Sequence, residues 1–337
     1  MKIILNDMGE NTLGSTRIHH TFLAEYLEKV GCSVYLNDWT NYCKYDICIF
    51  GKSTPYEQLV NAKQTAPNLI IGNTNPSSGS KEKIKKIEFS DFSIAGSLEE
   101  RDTNLNLNRN IFLFPQIEIL DLVTPTSGRS QLLLCYHGNK MHLDSLSIKF
   151  YKAFERIQNQ FNIGFRCIYD INTLGLWRPK LHNLNIEHVQ WELDNWTNKI
   201  SECDIGIVPS LISIDGWRGK FAHFITSRNG FRSDYLIRFK STTNSGRCFV
   251  FHQLKLPVIA EMVPCHFHIL SNPDNGFLAY SEEGWYQALF KLCSSRELRE
   301  TIAENAYNEF ERQYDPLIWA RRLVQEMDEL RKGKVQA

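Results

Sequence analysis

The chain has 337 residues, enough for two domains of ordinary size. It carries 38 basic and 38 acidic side chains, so no global positive field favours nucleic acid or an anionic bilayer. Hydrophobic residues make up 42% and charged residues 23% of the chain, as in ordinary globular proteins. Because the net charge is zero, any phosphate site must be formed by a local group of basic side chains and N–H groups.

Nine cysteines are scattered along the chain, and no C-x-x-C pair occurs among them. This pattern predicts reduced core thiols in a cytoplasmic protein rather than a disulfide framework or a zinc site. The apolar run at residues 1–5 is too short for a signal peptide. No run reaches the roughly 18 apolar residues that a membrane span needs. We expect a soluble protein in the cytoplasm, with peripheral association at the inner face of the membrane left open.

The first half of the chain alternates predicted strands and helices. A helix is predicted over residues 15–30, because apolar residues recur there near the 3.6-residue period. The predicted strands are residues 2–5, 33–36, 45–50, 68–73, 92–96 and 111–114. Strands separated by helices predict a parallel sheet covered on both faces.

A polar segment with Pro and Gly at residues 124–130 is the predicted linker. A second alternating set follows it, which predicts a second α/β domain. Its predicted strands are residues 132–136, 165–169, 186–189, 204–208, 235–239, 257–260 and 277–280. Its predicted helices are residues 143–160, a stretch near 192–200, one that carries Trp285, one over 295–314 and one over 316–332.

The loop after the first predicted strand holds candidate ligand contacts. Ligands of doubly wound sheets bind outside the carboxyl ends of the strands, where this loop lies. Gly14 and Ser15 suit close approach of the backbone at a helix start, although Ser15 equally fits a plain N-cap. Arg17 lies in the first helical turn, where the dipole disfavours a cation, and this favours a role with an anionic ligand. Asp7 and Glu10 are the acidic candidates of the same loop.

Two strand ends of the second half supply further candidates. His137 and Gly138 follow the predicted strand at residues 132–136. The histidine can donate to a hydroxyl or a phosphate, or simply cap the strand, and the glycine permits close approach. Pro209 follows the predicted strand at residues 204–208 and is placed at the same edge.

The strongest candidate site is the polar loop at residues 240–247, which ends where a helix is predicted to begin. Free N–H groups and the positive end of the helix dipole favour an anion there. Arg247 adds a fixed positive charge with two parallel donors, which suits a phosphate. The candidate contacts of this loop are Lys240, Thr243, Asn244, Ser245, Gly246 and Arg247.

The order of segments over residues 240–316 resembles the C-terminal half of the two-domain, GT-B-type glycosyltransferases, in particular the retaining family 4-like group. The matching segments are the loop at 244–247, the sequence KLPVIA at 255–260, NGFLA at 275–279, and Arg299 with Asn305-Ala306. The resemblance is good over about residues 200–330 and weaker over 1–120.

The resemblance implies an α/β fold of two Rossmann-like domains whose parallel sheets face each other across a cleft. Residues 1–123 would form the acceptor-side domain and residues 131–315 the domain that binds the nucleotide sugar. Residues 316–337 would form a helix that crosses back to the N-terminal domain.

The implied activity is transfer of a sugar from a nucleotide sugar to a saccharide or lipid-linked acceptor, with retention favoured and surface polysaccharide synthesis as the role. Arg247 matches a lysine of the family by position, and with Lys240 it would neutralise the leaving diphosphate, so no metal or other cofactor is expected. If the reaction inverts, Asp7 and Glu10 are candidate bases, as are two histidines of the first helix, His19 and His20.

One departure from the family pattern limits the prediction. Many retaining members carry a Glu-x7-Glu pair whose second carboxylate holds the ribose hydroxyls. The corresponding positions here are Thr242 and Val250, and neither is acidic. The donor base and sugar stay undetermined. Two alternatives also stay open: a sugar-nucleotide epimerase of the same fold, and a non-catalytic nucleotide-sugar-binding protein.

Overall fold

The structure is a computed structural model of the chain. It describes residues 1–10, 14–74, 81–118, 120, 130–181, 183–210, 231–233, 238–240, 244–270 and 274–335. Two six-stranded parallel sheets with flanking helices make up the described part, and this confirms the predicted fold class.

The first sheet is built from short, almost wholly apolar strands, as expected for a parallel sheet buried on both faces. Its strands are β1 (Lys2–Asn6), β2 (Ser33–Leu36), β3 (Ile47–Phe50), β4 (Ile70–Thr74), β5 (Phe92–Ala95) and β6 (Ile111–Leu113). They lie in the order β2-β1-β3-β4-β5-β6, with Ile4 opposite Tyr35 on one side and Cys48 on the other. The order reverses between β1 and β3, which places a ligand crevice at their carboxyl ends.

The helix after β1 contains an irregular stretch. It starts as α1 (Gly14–Thr16), continues as a π-helix over Arg17–Phe22 and ends as α2 (Leu23–Lys29). Single π-helical turns are rare in proteins and occur frequently at functional sites. The other helices of this half are α3 (Tyr56–Thr65), α4 (Lys81–Phe89) and α5 (Leu98–Asn104), with a 3-10 turn at Tyr42–Lys44.

The second sheet has the strand order of a Rossmann fold. The strands of this half are β7 (Leu132–His137), β8 (Ile163–Tyr169), β9 (Ile186–Gln190), β10 (Ile205–Val208), β11 (Phe231–Ser233), β12 (Arg238–Lys240), β13 (Val258–Glu261) and β14 (Phe277–Ala279). Six of them form a parallel sheet in the order β14-β13-β10-β7-β8-β9. Its order reverses between β7 and β10, so the crevice of this sheet lies at the ends of those two strands.

The helices of the second half cover this sheet on both faces and end in one long helix that returns to the first half. They are α6 (Lys140–Asp144), α7 (Ile148–Gln158), α8 (Ile171–Leu174), α9 (Trp196–Ser201), α10 (Gly246–Gln253), α11 (Pro264–Phe267), α12 (Glu282–Ser294), α13 (Arg296–Tyr314) and α14 (Pro316–Val335).

Three predicted elements are wrong in part. The helix predicted over residues 143–160 is two helices, α6 and α7, because the Ser147 hydroxyl accepts the Lys149 N–H and caps a new helix. The helix predicted near 192–200 begins only at Trp196, after a turn. The strand predicted at 235–239 lies partly outside the described residues. Its described residues, 238 and 239, belong to β12, which pairs antiparallel with β11 outside the main sheet.

The last helix packs on the first sheet's layer rather than on the second. Ala320, Leu323 and Met327 of α14 are fully buried, in one apolar cluster with Leu23 and Leu27 of α2. Full burial of a Leu or Met side chain contributes about 1.5–3 kcal/mol to stability. This contact therefore helps to hold the C-terminal helix against the N-terminal half.

All nine cysteines are free thiols, and eight of them are buried. In the parts of the chain that the structure describes, no helix is both long and apolar enough to span a bilayer.

Candidate functional site

A cavity of about 580 Å³ opens between the two halves of the molecule, where the carboxyl ends of both sheets meet. This volume lies in the range of small-molecule sites. The first half contributes Gly14 and Arg17 of its first helix. The second half contributes the ends of β7, β8 and β9 and the first turns of α10. The cavity therefore adjoins the crevice of the second sheet and the helix that follows β1 in the first half.

Arg247, the second residue of α10, reaches the switch point of the second sheet. Its Nη2 donates to the hydroxyl oxygen of Ser210, which follows β10, at 3.3 Å. Its guanidinium carbon lies 5.7 Å from the centre of the Tyr136 ring. Its Nη1 is buried and has no hydrogen-bond partner within the described parts of the chain. A buried donor without an acceptor is costly, so an acceptor oxygen from a ligand would stabilise this arrangement.

Gly138 makes room for the Arg247 side chain. Its backbone φ of +130° is one that residues other than glycine rarely adopt. A Cβ at this position would lie 3.1 Å from the Tyr136 hydroxyl and 3.4 Å from Cδ of Arg247. The glycine that the sequence singled out for close approach is thus in contact distance of the candidate cation.

His137 is a buried neutral group in the cavity wall. Its ring packs against Trp196 and Phe251, with ring centres 5.3 and 5.2 Å away. Burial and the nearby Arg247 guanidinium lower the pKa of His137 to about 3. Its Nε2 is buried and has no hydrogen-bond partner among the residues that the structure describes. This nitrogen can bind one polar atom of a ligand without carrying a charge.

The loop before α10 is held by its own side chains. The Asn244 side-chain oxygen accepts the Gly246 N–H at 3.0 Å, and the buried Ser245 hydroxyl donates to the Cys265 carbonyl at 2.6 Å. Asn244 and Gly246 line the cavity. Thr243 lies outside the described residues. For Lys240 the structure describes only the backbone, at the end of β12.

Arg17 lies in the opposite wall and is paired. Its Nε and Nη2 donate to Oε1 of Glu118 at 3.1 and 2.5 Å, and its guanidinium carbon is 5.2 Å from the centre of the Trp191 ring. Burial raises the pKa of the Glu118 carboxyl, and the Arg17 charge opposes that shift. Arg17 thus joins the first helix to the second half of the molecule, and part of its charge is already balanced.

The remaining predicted residues are close to the cleft or hold its loops. The Asp7 carboxylate accepts the N–H groups of Gly9 and Ser53 and so ties two loops of the first sheet together. Neither Asp7 nor Glu10 is among the described residues that line the cavity. Pro209 is buried directly after β10. Ser15 is the second residue of the first helix, and only its backbone is described.

The cavity-wall residues that sequence reasoning missed include Gln116, Glu118, Asp170 and Trp191. Asp170 and Trp191 directly follow β8 and β9, so the rule that ligands bind at strand ends could have found them. Gln116 and Glu118 follow β6 without a recognisable motif. Their place in the site depends on how the two halves pack, which the sequence pattern does not show.

Metal-ligand side chains do not cluster within the described residues: no group of three or more His, Cys, Asp or Glu there could hold an ion. His266, one of the histidines near the site, instead places its Nδ1 at 2.7 Å from the Glu261 carbonyl oxygen. Burial lowers the pKa of His266 to about 4.

Two Rossmann-like halves with a cavity between their facing strand ends define the class: a two-domain α/β protein with an interdomain ligand cleft. Solved structures share this architecture over nearly the whole chain. A sucrose-phosphate synthase from Thermosynechococcus elongatus matches with a TM-score of 0.63 at 13% identity, covering 98% of each chain. A glycosyltransferase from Rickettsia africae matches with a TM-score of 0.64 at 14% identity, also covering 98% of each chain.

A third similar structure is Anabaena HepE in complex with UDP, with a TM-score of 0.59 and 12% identity over 98% of this chain and 100% of that one. By sequence, no protein-family model and no curated protein matches. The structural likenesses show that the chain has the GT-B fold, the fold of the two-domain glycosyltransferases.

Proposed function

We propose that this protein is a glycosyltransferase that moves a sugar from a nucleoside diphosphate sugar to a saccharide or lipid-linked acceptor. The observation that carries the proposal is the buried, unpartnered Nη1 of Arg247 beside the cleft cavity. A diphosphate would supply the missing acceptor and a matching charge. The UDP complex of the structurally similar HepE supports a nucleoside diphosphate as the class of ligand.

In the proposed reaction, catalysis would depend on stabilising the negative charge of the leaving diphosphate. Glycosyl transfer passes through an oxocarbenium-like state while negative charge grows on the diphosphate oxygens. A cation fixed at that place, in a cleft that excludes water, stabilises the growing charge more than it stabilises the bound donor. We assign this position to Arg247 and propose Lys240 as the second cation. We propose that no metal ion is needed, because these side chains would neutralise the diphosphate.

Retention of the anomeric configuration is the outcome we propose. Inversion needs a base at the acceptor. Three of the candidate bases are committed elsewhere: Asp7 to loop N–H groups, His19 to Gln116 at 2.6 Å, and His20 to the Leu5 carbonyl at 3.1 Å. In a retaining reaction the leaving phosphate itself can take the proton of the acceptor.

As cellular role we propose surface polysaccharide synthesis in the cytoplasm, with lipid-linked acceptors at the inner face of the membrane.

The first test is Arg247→Ala. We expect sugar transfer to fall about 100- to 1,000-fold, since one preorganised charge at the leaving group is lost. A panel of UDP-, GDP-, dTDP- and CMP-sugars with the wild type first identifies a donor by thermal shift. Transfer and hydrolysis of that donor are then measured with and without acceptor sugars, together with the circular dichroism spectrum and melting temperature of the variant.

The matched control is Arg296→Ala, which removes an exposed arginine that pairs with Glu300 on α13. It should transfer sugar at the wild-type rate. Near-normal turnover by Arg247→Ala would contradict the assignment of Arg247. Donor binding with no transfer to any acceptor would favour the binding protein, and release of an epimerised sugar without an acceptor would favour the epimerase.

A further inference from the structure

The segment that leaves the first sheet lies along one face of α10. The carbonyl oxygen of Gln116 is 3.0 Å from the position that a Cβ at Gly246 would take. The side-chain amide of Gln253 donates to the carbonyl oxygen of Glu118 at 3.2 Å. Positions 246, 250 and 253 share one helix face, because they are four and three residues apart. Residues 116–118 therefore pass alongside Val250.

Glu118 turns its carboxylate into the cavity from this segment. Its side chain is 13% exposed, and Glu118 is one of the residues that line the cavity. Arg17 donates two hydrogen bonds to Oε1 of Glu118. Oε2 accepts no hydrogen bond from the residues that the structure describes. The arginine therefore fixes the carboxylate and leaves one oxygen for a ligand.

The position of this oxygen relative to Arg247 limits what it can bind. Val250 lies three residues beyond Arg247 on α10, so their side chains start about 5–6 Å apart. In a nucleoside diphosphate the ribose is joined to the phosphate through its 5′ carbon. A diphosphate at Arg247 can thus place its ribose beside the turn that carries Val250. Val250 also lines the cavity, but its side chain offers no acceptor.

The other carboxylate in the described cavity wall, that of Asp170, belongs to the helix cap at the end of β8 and not to the segment beside α10. Oδ1 of Asp170 accepts the Thr173 N–H at 3.1 Å and the Gln190 side-chain amide at 3.2 Å, and so caps α8. Glu118 is instead held by a side chain that itself lines the cavity. The acceptor beside α10 is therefore supplied by the segment between the two sheets.

We propose that Glu118 accepts hydrogen bonds from the 2′- and 3′-hydroxyls of the ribose, and that the ligand is a ribonucleoside diphosphate rather than a 2′-deoxyribonucleoside diphosphate. Arg17 acts as a positioning residue for Glu118. A carboxylate that binds ribose hydroxyls is a recurrent device in nucleotide sites. A ligand without the hydroxyl leaves a charged acceptor unpaired, which is why such sites discriminate strongly. This inference rests on the proposed function, because it deepens the description of the same site.

Isothermal titration of the full chain tests the inference. The ligands are UDP, GDP, their 2′-deoxy counterparts, dTDP and inorganic pyrophosphate. The proteins are the wild type, Glu118→Gln, Glu118→Ala and the control Glu297→Gln, at an exposed position in the first turn of α13. We expect the wild type and the control to bind a ribonucleotide about 10- to 100-fold more tightly than its 2′-deoxy form. Both Glu118 variants should lose this preference while they keep pyrophosphate affinity.

The outcomes separate the two proposals. A wild type that binds dTDP or a 2′-deoxy nucleotide as tightly as the ribonucleotide overturns the inference alone. So does a Glu118→Gln protein that folds and keeps the full preference, or one that loses pyrophosphate equally, because Glu118 would then act on the phosphate through Arg17. A wild type that binds neither pyrophosphate nor any nucleotide overturns the proposed function and this inference with it.

Discussion

Among the described residues, four histidines are buried as neutral side chains: His19, His137, His252 and His266. Burial is the first cause in each case, and it lowers their pKa values to about 4, 3, 4 and 4. In the unfolded chain the pKa of a histidine is about 6.5. Between pH 6.5 and 4 the unfolded state therefore binds more protons than the native state. The free energy of unfolding must fall as the pH falls through this window.

His252→Leu tests this linkage at one residue. His252 is buried in α10 and its Nε2 has no partner, so leucine can replace its ring without breaking a hydrogen bond at that atom. We expect the decline in unfolding free energy between pH 6.5 and 4.5 to become shallower by about 1.4 kcal/mol per pH unit. Urea unfolding at several pH values measures it. Gln313→Ala, at an exposed position on α13, should keep the wild-type slope, and an unchanged slope in His252→Leu would refute the linkage.

Among the elements, the turn after β7 determines where Arg247 can lie. Gly138→Ala should cost about 1–3 kcal/mol of stability through its positive φ, and the added Cβ should also displace the Arg247 side chain. Since small displacements of a positioned group are costly, we expect nucleotide affinity and transfer to fall about 10- to 100-fold. Melting temperature and donor titration measure the two effects separately.

Gly175→Ala is the matched control for this turn. Gly175 has a φ of +72°, but nothing lies within 4 Å of a Cβ built there. It should therefore show the backbone strain without the loss of ligand affinity. Equal losses of affinity in both variants would show that strain alone is responsible and that Gly138 has no special relation to Arg247.

The elements also show where sequence patterns predict well. Strands of a parallel sheet are apolar on both faces, so each appears in the sequence as a short continuous run of apolar residues. The bounds of each of the twelve strands in the two six-stranded sheets lie within about two residues of those predicted. Helix interruptions are less visible. The break before Ile148 depends on the Ser147 cap, in a stretch whose apolar period continues across it. The π-helix at Arg17–Phe22 likewise has no sequence signature.

At the scale of the whole molecule, α14 joins the end of the chain to the first sheet's layer. Leu323→Ala should lower the free energy of unfolding by about 2–5 kcal/mol, because a fully buried leucine leaves a cavity in the cluster shared with α2. Denaturant unfolding measures the loss. Gln325→Ala on the exposed side of the same helix should change stability by no more than about 0.5 kcal/mol. A small effect of Leu323→Ala would mean that α14 adds little to the stability of the first half.

The sequence by itself determined the two alternating α/β halves, the GT-B resemblance and the choice of Arg247, Gly138 and His137, because strand periodicity, glycine and charge at helix starts are local properties. Three further features depend on tertiary packing: Glu118 holds Arg17, the Ser245 hydroxyl donates to the Cys265 carbonyl, and the segment that carries Glu118 lies along α10. These contacts join residues up to 135 positions apart. They depend on how the two sheets pack against each other across the cleft, and a local sequence pattern holds no information about residues so far apart in the chain.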